Sequence, residues 1–125
     1  MSPTAVSRIM TIEAKFRLRI KKDSIVAIGP GKISLLEAII ETGSITAAAK
    51  KLEMSYRRAW LLIDEMNRCM KKPLIDTASG GKHGGGTTIT SIGLELVKRY
   101  RSIERDAAAA TTKEIRALVK MLSEA

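Results

Sequence analysis

The chain has 125 residues, room for one domain but not for two of ordinary size. Apolar residues make up 45% and charged residues 28%, a balance that buries a core and dissolves in water. Its 22 Lys and Arg against 13 Asp and Glu leave a formal charge of +9, which favours a polyanionic partner, nucleic acid above all. A membrane fits less well: Trp and Phe occur once each, too few to anchor an interfacial helix, and no apolar run reaches the roughly 18 residues of a span. The start, MSPTAVSRIMTIEAKF, lacks the apolar core of a secretory signal, so a cytoplasmic location is expected. One cysteine, Cys69, allows no internal disulfide and no cysteine-based zinc cage. One histidine, His83, suits neither a His-rich metal site nor a His-dependent catalytic pair. No cofactor or metal is implied, and an enzyme is the least favoured class.

Residues 1–13 have no strong period and read as a flexible arm. The stretch 14–20 alternates, with Phe16, Leu18 and Ile20 on one face and Lys15, Arg17 and Arg19 on the other. That is the period of a half-buried strand with a basic, mostly solvated outer face. Residues 21–24 form a polar turn, 25–28 a short second strand, and Gly29-Pro30-Gly31 a breaker. A first helix is predicted over 32–42, from the recurrence of Ile33, Leu36 and Ile40, with Gly43 past its end. Ser44 caps a second helix over 45–51, whose Ala47-Ala48-Ala49 lets another helix cross closely. Ser55 caps a third over 56–70, with an apolar stripe of Ala59, Leu62 or Ile63, Met66 and Met70. Tyr56, Arg57, Leu61 and Asp64 cannot all join that stripe.

Pro73 ends the third helix, and two short strand-like runs, 74–76 and 87–90, flank a segment with five glycines in eight residues. That pattern reads as a hairpin, or wing. Thr90 or Ser91 then caps a helical region to about Leu122. One seam holds Leu96, Tyr100, Ile103, Ala107 and Ala110; a second, shifted by one position, holds Ala108, Thr111, Ile115, Leu118 and Leu122. Thr111-Thr112-Lys113-Glu114 also matches a capping box. One long helix with a drifting seam and two helices broken near Thr111 fit the pattern equally.

Helix, tight turn, small-residue helix, short turn, helix and then a hairpin is the sequence form of a winged helix-turn-helix. The fold expected is mainly α with a small β component: an N-terminal strand, the winged unit over 14–105, and a C-terminal helical dimerisation region over 106–125. The third helix would lie in the DNA major groove and the wing, 77–90, on the backbone or minor groove. Ser55, Tyr56, Arg57 and Arg58 would then reach base edges and nearby phosphates, Arg because its planar fork can bond guanine bidentately. Ser44 and Thr46 could offer hydroxyls and N–H groups to a phosphate, and Lys82 and His83 sit at the wing tip, where flanking glycines allow close backbone approach.

Blander readings compete. Trp60 shares a face with Ile63 and reads as core rather than as a base-stacking residue. Tyr56 divides between packing and phosphate contact, and Arg57 and Arg58 would be an ordinary solvated face without the helix-turn-helix context. Gly81-Lys82 is followed by His83 and a strand, not by Ser or Thr opening a helix, so a nucleotide-binding P-loop is disfavoured. Cys69 reads as a small core residue.

The runs Ile33-Ser34-Leu35-Leu36, Gly43-Ser44-Ile45, Ser55-Tyr56 with Ala59-Trp60, Ile63, Met66-Asn67, Gly80-Gly81-Lys82, Gly84-Gly85-Gly86 and Thr90 with Gly93 resemble the N-terminal DNA-binding domain of the ModE family of molybdate-responsive transcriptional regulators. The resemblance covers roughly residues 14–105 and extends, more distantly, to LysR-type DNA-binding domains. It implies a winged helix-turn-helix homodimer that binds operator DNA and usually represses transcription. His83 interrupts the family's glycine run. The family's molybdate-binding domains lie C-terminal to this unit, and with the chain ending at Ala125 the resemblance is to the DNA-binding half only, so molybdate or another oxyanion is a doubtful ligand. The expected function is that of a homodimeric, sequence-specific regulator of transcription on double-stranded DNA. The alternative is a non-specific nucleic-acid binder or a protein-interaction module that keeps the fold.

Overall fold

The computed structural model describes residues 11–77 and 87–123. Strands β1 (Ile20–Lys22) and β2 (Ile25–Ile28) pair antiparallel, with Ile20 opposite Ile28, Lys22 opposite Ile25 and a bulge after Ile20. The turn between them holds Asp23 at φ 50 and Ser24 at φ 74, the two left-handed residues of the hairpin turn that matches strand twist. The strand expected over 14–20 is therefore displaced. Residues 11–19 are unpaired, and only Ile20 of the alternating run joins a ladder. Leu18 alone of that run packs on the core, while its carbonyl accepts the Tyr100 hydroxyl at 2.9 Å. Burial raises the Tyr100 phenol above its ordinary pKa, which keeps it a donor.

Helix α1 (Pro30–Thr42) starts two residues before the predicted position, because Pro30 fits the first helical position, where its missing N–H costs nothing. It stops at Gly43, whose φ of 70 lets its N–H donate back to the Ile39 carbonyl at 2.7 Å. Helix α2 (Ile45–Lys51) begins with the Ser44 hydroxyl accepting from the Ala47 N–H at 3.1 Å. It closes with paired bonds from the Glu53 N–H to the Lys50 carbonyl and from the Met54 N–H to the Ala49 carbonyl, with Glu53 at φ 56 in the place glycine usually takes. Helix α3 (Tyr56–Cys69) is capped by Ser55, whose hydroxyl accepts from the Arg58 N–H at 3.0 Å.

Strands β3 (Ile75–Thr77) and β4 (Thr87–Ile89) pair antiparallel, Ile75 opposite Ile89 and Thr77 opposite Thr87, and form the base of the wing. Thr90 joins this base to the next helix, α4 (Ser91–Ala110): its N–H donates to the Leu74 carbonyl and its hydroxyl accepts from the Gly93 N–H. Gly93 is required here. A Cβ on it would lie 2.5 Å from the Leu74 carbonyl oxygen and 2.7 Å from Ile89 Cγ1.

The C-terminal ambiguity resolves into two helices. α4 ends at Ala110, Thr111 sits at φ −113 and ψ 11, and α5 runs Thr112–Lys120. The capping box does not form. The Thr111 backbone is not extended, as an N-cap's would be, and its hydroxyl donates to the Ala107 carbonyl at 2.6 Å. The boundary expected after residue 105 falls inside α4.

One core joins these elements. Ile33, Leu35, Leu36 and Ile39 of α1 pack with Ala48 and Ala49 of α2, Ala59, Ile63 and Met66 of α3, Leu74 and Ile75, and Val97 and Tyr100 of α4. Each large aliphatic side chain buried there contributes about 1.5–3 kcal/mol. The alanines sit where α1, α2 and α3 cross. Two polar links brace the packing. Arg101 of α4 makes two bonds to Glu37 of α1, Nε to Oε2 at 2.9 Å and Nη2 to Oε1 at 2.6 Å, and a third to Glu104. That contact holds the Glu37 carboxyl below its usual range and pushes the guanidinium pKa up. Lys32 of α1 is only 5% exposed, and its ammonium donates to the Val26 carbonyl and to Glu65 of α3. A buried charge is tolerable only with such partners.

Candidate nucleic-acid interface

Helix α3 presents two unlike faces because its apolar residues recur at helical spacing. Ala59, Ile63 and Met66 are buried, and Leu62 and Trp60 are half-buried against the core. The opposite side carries Arg57, Arg58, Leu61, Asp64 and Arg68, all exposed. The helix is thus held by one side and left free on the other.

Four of the eight sequence-predicted residues come together at its amino end. Ser55, Tyr56, Arg57 and Arg58 are all exposed around the first turn. The Ser55 oxygen is occupied by the Arg58 N–H, which leaves its hydroxyl proton available to an acceptor. Arg57 and Arg58 form no ion pair with any described residue. Two adjacent guanidinium groups without internal carboxylates keep their full charge and all their donors for a ligand. Tyr56 packs and yet stays exposed. Its ring meets Trp60 edge to face, centroids 6.2 Å apart, yet 53% of the residue stays accessible.

Ser44 and Thr46 belong to the first turn of α2, Thr46 exposed and Ser44 half-buried. The Ser44 oxygen accepts the Ala47 N–H and keeps its hydroxyl proton, as Ser55 does, but the Ser44 N–H donates to the Thr42 hydroxyl and the Ser44 carbonyl accepts from it, so Thr46 is the freer of the two. Lys82 and His83 lie outside the described residues. The wing base is nevertheless tied to α3, because the Asn67 side-chain oxygen accepts from the Leu74 N–H at 2.9 Å.

Sequence reasoning missed Leu61 and Lys32. Leu61 was signalled only by the excess of apolar residues over what one stripe can hold. Nothing in the sequence pairs Lys32 with a residue 33 positions away. Among the described residues no group of three or more His, Cys, Asp or Glu is placed to hold a metal, and no helix is long and apolar enough to cross a membrane.

Comparison with known proteins agrees with this geometry. Residues 31–94, from the start of α1 to the start of α4, match the family described as bacterial regulatory helix-turn-helix protein, lysR family. The chain is 42% identical over 88 residues to the molybdenum transport protein ModE of Azotobacter vinelandii, covering 70% of this chain and 33% of that protein. It is 38% identical over 89 residues to the DNA-binding transcriptional dual regulator ModE of Escherichia coli K12, covering 71% and 34%. It is 41% identical over 80 residues to the molybdenum-pterin-binding protein MopB of Rhodobacter capsulatus, covering 64% and 30%. The chain thus spans about a third of the length of the curated relatives it matches.

Proposed function

The chain belongs to the bacterial regulatory helix-turn-helix proteins of the lysR family, with a ModE-like N-terminal helix-turn-helix domain, and from that premise we propose that it binds operator DNA as a homodimer and represses transcription. The observation that carries the reading is the exposed, unpaired Arg57–Arg58 step at the capped amino end of α3. In this fold that end enters the major groove. Arg57 reads a guanine edge, while Arg58, Ser55, Tyr56 and Thr46 contact phosphates, with Ser44 fixing the start of α2. Lys82 and His83 follow the backbone or minor groove from the wing.

The pairing surface is the C-terminal region. Ile115, Leu118, Val119 and Leu122 recur at three and four on α5 and the turn after it, and α5 buries none of its residues. Leu118 is 64% exposed and Met121 80%, an apolar stripe that a second copy would cover. Two recognition helices paired through this region would sit about 34 Å apart, one DNA turn.

The test is a mobility-shift titration against the DNA upstream of the protein's own gene and against random duplexes, at several salt concentrations. Preferential binding to a palindromic site, falling steeply with salt as phosphates are neutralised, is expected. Equal affinity for all duplexes would favour the non-specific binder instead, and no shift at low salt would overturn the reading altogether.

A further inference from the structure

Leu61 is 59% exposed in the middle of the recognition helix, while its neighbour Leu62 packs against the core. Helical spacing sets Leu61 on one narrow face with Arg57, Asp64 and Arg68, opposite Ala59, Ile63 and Met66. The surroundings of Leu61 on that face are polar. Arg57 lies one turn before it, and one turn after it Asp64 is closed against Arg68, Oδ2 to Nε at 3.1 Å. An isolated apolar side chain between a free guanidinium and a neutralised ion pair matches something apolar set among hydrogen-bonding groups and near phosphate.

The major-groove edge offers one such group, the 5-methyl of thymine. Resting on the DNA-binding reading above, we infer that Leu61 is a specificity-determining residue that reads a thymine methyl. Residues four apart on a helix are separated by about 6 Å along its axis, close to two base-pair steps of about 3.4 Å. The half-site therefore carries a thymine about two base pairs from the guanine that Arg57 reads. The carboxylate of Asp64 is tied to Arg68, which keeps it from repelling the duplex at that position. No hydrogen bond is asked of Leu61; it gains from removing its own surface and the methyl from water together.

The experiment uses the full chain to select binding sites from a random duplex pool. The recovered consensus is then remade with each thymine replaced singly by deoxyuridine, which deletes the methyl and leaves every hydrogen-bonding group in place. Fluorescence anisotropy is expected to show one thymine per half-site whose replacement weakens binding about 3- to 5-fold, the size expected for one methyl removed from water. Leu61→Ala should bind the thymine and deoxyuridine duplexes alike, keep its preference for the guanine that Arg57→Ala loses, and retain the wild-type circular dichroism spectrum, since Leu61 supports no core contact. Wild-type protein indifferent to every deoxyuridine, or a Leu61→Ala variant that still discriminates, overturns the inference and leaves the DNA-binding reading intact. A selection that yields no consensus overturns both.

Discussion

Helices α3 and α5 are both amphipathic, yet they stand in opposite relations to the fold. α3 buries Ala59, Ile63 and Met66 within its own chain and turns a basic side outward. α5 leaves Leu118 exposed and Ile115 and Val119 only half-buried, with no residue fully buried within its own chain. A helix whose apolar side is already satisfied can spend its other side on a ligand. One whose apolar side is bare depends on a second surface for its place. On the proposed reading, the same amphipathic pattern marks a DNA-facing element in one region and a pairing element in the other.

That contrast breaks most sharply under truncation of each apolar side. Ile63→Ala should cost about 2–5 kcal/mol in urea unfolding at any protein concentration, because it opens a cavity under α3. Leu118→Lys should leave the folded unit intact but shift sedimentation toward the monomer and weaken operator binding with it. If Leu118→Lys unfolds the dilute protein as Ile63→Ala does, α5 is part of the core and the contrast fails.

Next in size is the joint between the regions. Gly93→Ala should cost about 1–3 kcal/mol, seen as a lowered Tm, since the added methyl meets backbone oxygen and not a yielding side-chain end. Arg57→Ala should cost a similar 1–3 kcal/mol, but in DNA affinity and base preference rather than in Tm. Lys82→Ala should weaken all sequences alike and reduce the salt slope.

The smallest effect lies in the ionic link from α1 to α4. Arg101 holds the Glu37 carboxyl below its ordinary 4.5, so the folded state takes up that proton less readily than the unfolded chain. The link therefore stabilises fully above the ordinary carboxylate range and is lost as pH falls through the lowered folded value. Both side chains are more than a third exposed, so solvent screening limits the contribution to about 0.5–1 kcal/mol. Glu37→Gln should flatten that part of the pH–stability curve, read by urea titrations between neutral and acidic pH.

The stretch from α1 to α3 was legible because its ends are written in side chains. Gly43, Ser44 and Ser55 each do the local job their chemistry suits, and α2 falls where Ser44 put it. The amino-terminal run was misplaced because alternation reports an extended backbone, not a hydrogen-bonding neighbour, and Phe16 and Leu18 have no strand beside them. Thr111 marked the break between the last two helices correctly, but its Thr-x-x-Glu pattern did not form the cap bond, because the preceding residues are already helical and its hydroxyl turns back to Ala107. On the exposed side of α3 the sequence singled out the arginines, whose chemistry is specific. It passed over Leu61, whose chemistry is ordinary until its direction is known.

The Lys32 ammonium joins the Val26 carbonyl to Glu65 from inside the fold. On the proposed reading, the set of α3 against a duplex is thereby inherited from a buried cation and its partners, not from the side chains that would choose a target. Substitutions on the outer side of that helix can accumulate over descent without reorienting it, so new operator preferences become reachable one residue at a time while the scaffold stays fixed.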